Sequence, residues 1–170
     1  SLLSLAFILA LHQPYHGGGP INTPTHTLYS LAVTGWYTDE ARRELFRVPM
    51  IEYDYPGILF GYIPEPYPGG SPIMVSNTGY WTGPTFSVQY AFEGLMHEFG
   101  HHFDHIYHFS DSPDFQRRSL GLDFPAENTE FNLDNEKPWE RYAYIGMYPW
   151  LFPQLREFYP QFSDMAFEVR

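Results

Sequence analysis

At 170 residues, with 44% hydrophobic and 19% aromatic content and no cysteine, the chain is long and apolar enough to bury a core without disulfide or metal staples. That composition excludes a disordered segment, a disulfide framework and a cysteine-bound zinc site. A formal net charge of -11, with Lys137 the one lysine, leaves no basic face for nucleic acid, so nucleic acid is not expected as a partner.

The apolar run over residues 2–11 comes first. It lacks a basic leading segment and an A-x-A-type cleavage site and is too short to span a bilayer. It reads as a buried first helix ending near His12-Gln-Pro14, and no membrane span is expected. Prolines and glycines then punctuate the chain: His16-Gly-Gly-Gly-Pro20, Asp54-Tyr-Pro-Gly57, Pro64-Glu-Pro-Tyr-Pro-Gly-Gly-Ser-Pro72 and Tyr80-Trp-Thr-Gly-Pro84 are predicted loops or tight turns. Between them, residues 29–37, 57–63 and 73–76 are strand candidates, and residues 38–46 form a short helix capped by Thr38 or Asp39. No repeat or domain boundary interrupts the chain, so residues 1–170 are expected to make one domain.

A long helix is predicted next. From a cap at Thr85, apolar residues recur in steps of three or four at Val88, Phe92, Leu95, Phe99, Phe103 and Ile106, which defines one buried stripe. His97, His101, Asp104, His105 and His108 fall on the opposite face. Such a helix must cross the middle of the domain, with core on one side and a cleft over its polar face.

Within it stands His97-Glu98-Phe99-Gly100-His101, an HExxH motif. Positions i and i+4 share a helix face, so both imidazoles can hold one zinc at about 2.0–2.1 Å while Glu98 reaches an activated water. Leu95, Met96, Phe99 and Gly100 carry no charge, as a buried motif requires. The competing reading is a His-rich surface helix.

The third ligand decides the class. His105 sits about 6 Å further along the helix axis than His101 and cannot share its zinc; it reads as a solvated or substrate-facing histidine. The HExxHxxGxxH pattern fails at Asp104 and Tyr107, and no upstream cysteine is present to serve as a third ligand. That leaves a later carboxylate. Pro138 is suited to the first position of a new helix, which puts Glu140 in its first turn with Tyr144 and Met147 on the same side. Glu140 ranks first and Glu136 second, while Glu127 and Glu130 lie in a segment without clear period. Glu140 would serve equally as an acid complementing the helix dipole.

His97-Glu-Phe-Gly-His-His-Phe-Asp104, then Glu140-Arg-Tyr-Ala143, then Leu155-Arg-Glu-Phe-Tyr-Pro160 resemble the catalytic domain of anthrax lethal factor and the related secreted Pro-Pro endopeptidases, which are zinc gluzincins. The resemblance runs from about Ile73 to the end of the chain and is most specific at HEFGHxxD. It implies an α+β, zincin-like metallopeptidase domain: a small mixed sheet packed on a central HExxH helix, with a C-terminal helical part. It further implies one catalytic zinc held by His97, His101 and Glu140, Glu98 as general base, a peptide or protein substrate, and an extracellular location. One departure is visible. The family carries a tyrosine shortly before the third ligand to assist the oxyanion, whereas Phe131-Asn-Leu-Asp-Asn135 has none; Tyr142, Tyr144 or another of the 14 tyrosines would have to substitute.

The expected chemistry is hydrolysis of a peptide bond by metal-activated water, with Glu98 taking the proton and returning it to the leaving amine. Residues 73–76 are expected to be the edge strand on which an extended substrate pairs, and Asp104 or Tyr144 to orient an imidazole from behind. The acidic balance favours cationic substrate segments, with Tyr80, Trp81 and Trp139 as candidate apolar walls. The alternative is a non-catalytic zinc-binding or partner-binding module derived from a lethal-factor-like domain; the missing tyrosine favours it and the intact Glu98 opposes it.

Overall fold

The first element with a visible cause is a helix that begins where Thr38 leaves the helical region. In the computed structural model, which describes residues 36–53, 60–77, 88–122 and 142–168, the Thr38 hydroxyl accepts from the Ala41 N–H at 3.3 Å. It thereby caps helix α1, Asp39–Phe46, whose inward face carries Ala41 and Leu45.

Strands β1 (Met50–Tyr53), β2 (Phe60–Ile63) and β3 (Ile73–Asn77) come next in the chain and form one sheet in the order β1-β3-β2. β3 runs parallel to β1, with Met50 opposite Met74, and antiparallel to β2, with Phe60 opposite Ser76. One strand was not foreseen, and one expectation is corrected here. β1 was not predicted because four residues, Met-Ile-Glu-Tyr, are too few for a period of two to register. Residues 73–76 belong to the central strand, whose two edges are both paired, so the expected substrate-pairing edge cannot be β3. The Pro64–Pro72 run does turn the chain between β2 and β3: Gly69 takes the positive φ of 75° the turn needs, and its N–H donates to Glu65 at 2.7 Å.

Helix α2, Val88–Tyr107, is the spine of the fold. Leu95, Phe99 and Phe103 are fully buried along its stripe, as is Met96, while Ile106 at 36% exposure marks where the stripe leaves the core. His108 ends the helix in the left-handed region at φ 53°, its N–H bonded to the Asp104 carbonyl at 2.7 Å. A 3-10 turn, Phe109–Asp111, leads to helix α3, Pro113–Leu120, with Ser112 as N-cap and proline at the first position. Helix α4 (Tyr142–Met147), two 3-10 turns and helix α5 (Asp164–Glu168) complete a helical C-terminal part.

The sheet meets α2 through β2, and α4 lies directly on α2. That second contact is unusually close because it is made by small residues. A Cβ built on Gly146 would stand 2.5 Å from the Met96 carbonyl oxygen, and one on Gly100 2.9 Å from the Ala143 Cα. Buried residues from Tyr37 to Ala166 join in one core rich in aromatic pairs, including Tyr37 on Phe162 at 5.1 Å and Phe109 on Tyr159 at 4.7 Å. Tyr37 enters no strand of the sheet and makes an isolated antiparallel bridge to Phe162.

The architecture is thus mixed α+β with a small mixed sheet. No helix among the described residues is long and apolar enough to cross a membrane. The first helix over residues 2–11, the strand candidate before Trp36, the Thr85 cap, the Pro138 start and the walls at Tyr80, Trp81 and Trp139 lie outside the described residues.

Candidate metal centre

One turn of α2 separates His97 from His101, and the shared helix face brings their Nε2 atoms to 3.2 Å, with ring centroids 4.9 Å apart. Two imidazoles on one tetrahedral zinc, at bonds of about 2.0–2.1 Å, hold their nitrogens about 3.3 Å apart. The Nε2–Nε2 separation is close to the one that ion requires. His97 is 4% exposed, and His101 and the intervening Glu98 are half-buried. The low exposure of His97 strengthens any charge interaction it makes.

Behind His101 stands a residue that the sequence suggested for another role. The Tyr142 hydroxyl lies 3.0 Å from His101 Nδ1, and the two rings meet at 90°. Nδ1 and Nε2 are on opposite sides of the imidazole, so the Tyr142 hydroxyl meets the ring on the side away from the His97 contact. Asp104, expected to orient an imidazole, is committed elsewhere: its carboxylate accepts from the Ser110 N–H at 2.8 Å and from the Ser110 hydroxyl at 2.6 Å. These bonds lock the end of α2 to the following 3-10 turn. Burial pushes the Asp104 carboxyl above its ordinary range, with the two Ser110 bonds pulling the other way. The side chain of Tyr144 lies outside the described residues.

His102 follows His101 immediately, yet a 100° step around the helix turns it toward the sheet. Its Nδ1 lies 3.1 Å from the Tyr62 hydroxyl of β2 and its Nε2 3.4 Å from Glu44 of α1. The neutral Nε2–H tautomer serves both contacts, and burial favours it by lowering the pKa, against the opposing pull of Glu44. The Tyr62 hydroxyl is in turn pushed up by burial and then by Glu44. His102 thus pins the sheet and α1 onto α2. His105 and His108 are exposed, in keeping with the reading of His105 as no ligand.

The carboxylate candidates Glu127, Glu130, Glu136 and Glu140 all lie outside the described residues, and among the described ones no group of three His, Asp or Glu gathers to hold a metal. An open groove of about 770 Å³ lies elsewhere, lined by Thr38, Arg118, Arg156, Glu157, Tyr159 and Asp164 among others. Arg118 pairs with Glu157 and Arg156 with Asp164, which cancels much of its charge, and neither histidine of the motif lines it. It is not the candidate centre.

The posts of Tyr142 and His102 were not foreseen from sequence. A signal for Tyr142 existed in Gly100, Ala143 and Gly146, small residues that let two helix backbones touch. For His102 no local pattern pointed to Tyr62, forty residues away. Comparison of the chain with protein-family models, with curated proteins and with solved structures finds no match in any of the three.

Proposed function

We propose that this chain is a zinc-dependent endopeptidase of the lethal-factor-like gluzincin type, with a zincin-like fold. In this reading His97, His101 and Glu140 hold the metal and Glu98 is the general base. The observation that carries it is the 3.2 Å approach of the two Nε2 atoms on one helix, with Glu98 between them in sequence.

Zinc bound there supplies a Lewis acid that polarises a scissile carbonyl and lowers the pKa of water to about 7. The chain's own residues do the rest. His97 and His101 present their Nε2 atoms from a helix whose other face is buried in the core. The Glu98 carboxylate takes a proton from the attacking water and delivers it to the leaving amine nitrogen. Glu140 is taken ahead of Glu136 because Pro138 suits the first position of a new helix, which puts Glu140 in its first turn.

Metal analysis and hydrolysis of a peptide mixture, with and without a chelator, test the reading. Glu98→Gln keeps the size and shape of the side chain and removes its basicity, so zinc should stay bound while cleavage almost disappears. Cleavage at the parental rate by Glu98→Gln would remove Glu98 as the base and the peptidase reading with it.

A further inference from the structure

We propose that Tyr142 is the positioning residue for the metal centre: its hydroxyl accepts the His101 Nδ1–H, which turns the Nε2 lone pair toward His97 and so sets zinc affinity. The proposal rests on the reading of His97 and His101 as zinc ligands.

Three observations carry it. The hydroxyl is 3.0 Å from Nδ1, within hydrogen-bond range, and the perpendicular rings leave the phenol edge aimed at the imidazole nitrogen. Tyr142 is 6% exposed, and Phe109 holds its other side edge-on at 5.5 Å, so the hydroxyl has little freedom to leave. Its helix cannot slide either: the Gly100–Ala143 and Gly146–Met96 contacts set α4 against α2 backbone to backbone.

An imidazole ligates through one nitrogen only when the other carries the proton, and the partner of that other nitrogen selects the tautomer. Carboxylates usually fill this post. Here the nearby carboxylate of the same helix, Asp104, is occupied by Ser110. A phenol serves with no charge to bury, which suits a side chain only 6% exposed.

Tyr142→Phe removes the oxygen and leaves the ring, so packing is kept and the tautomer loses its determinant. Zinc affinity, measured by competition with a chromogenic chelator, should fall about 10- to 100-fold, while melting of the chelator-stripped protein stays within a few degrees of the parent. In the zinc-loaded parent, NMR should find the His101 Nδ1–H protected from exchange, and the Phe variant should lose that protection. Parental zinc affinity and an equally protected proton in Tyr142→Phe would overturn the positioning role while leaving the metal reading standing. A parent that binds no zinc would overturn both.

Discussion

Replacing Gly146 with alanine puts the helix crossing to a direct test. In an ordinary exposed helix this change stabilises by about 1 kcal/mol, because glycine carries the larger entropy cost. At Gly146 the new Cβ would stand 2.5 Å from the Met96 carbonyl oxygen, with the Met96 carbonyl carbon at 3.4 Å and the Gly100 Cα at 3.5 Å. Relief requires roughly 1 Å of movement between two backbones, since a comfortable contact lies near 3.5 Å. Neither partner is a flexible side-chain tip. Overpacking of this kind costs typically about 1–3 kcal/mol, and a backbone obstacle belongs at the upper end, so the net loss should be about 2 kcal/mol. For a chain of this size that is a melting temperature lower by about 4–8 °C. The assay is thermal unfolding of the chelator-stripped protein, with Gly121→Ala as control: its Cβ would meet the Arg118 carbonyl oxygen at an ordinary 3.6 Å and should be tolerated. Because α4 also carries Tyr142, zinc affinity of Gly146→Ala should fall as well. A variant that melts at or above the parental temperature would refute the idea that these glycines exist to seat α4 on α2.

Glu140→Ala should abolish tight zinc binding; undiminished affinity would move the third ligand to Glu136 or Glu130. Asp104→Asn tests the buried carboxyl. Its folded pKa is raised, so the stability Asp104 contributes is fully present below about pH 3.8 and is lost as pH rises through the folded value. The parent should therefore weaken relative to Asp104→Asn from about pH 4 upward in chemical denaturation, and a flat difference would count against the assignment. His108→Gly should stabilise by a few tenths to about 1 kcal/mol, since glycine adopts φ 53° without the penalty histidine meets there; a lower melting temperature would contradict this. If the net charge of -11 acts at the site, cleavage of Lys- or Arg-flanked peptides should slow as salt rises, which peptide profiling at two ionic strengths can read.

Much of this centre was written locally. The i,i+4 spacing of His97 and His101 specifies their convergence as soon as the segment is helical, and the Leu95–Phe99–Phe103 stripe makes it helical by giving it a face to bury. The Thr38 cap and the turns through Pro64–Pro72 are equally local, because each depends on dihedral preferences and hydrogen bonds within four residues.

What tertiary structure alone decided concerns partners distant in the chain. The order β1-β3-β2 placed residues 73–76 in the middle of the sheet, since strand order depends on which edges meet and leaves no period in the sequence. Tyr142, and not Asp104, met the His101 imidazole for the same reason. A helical histidine can be oriented by anything that reaches its Nδ1, and reach was set by how closely α4 approaches α2. Gly100 and Gly146 allow that approach, and only the packed backbone reveals that a phenol forty-one residues away arrives where a nearby carboxylate does not.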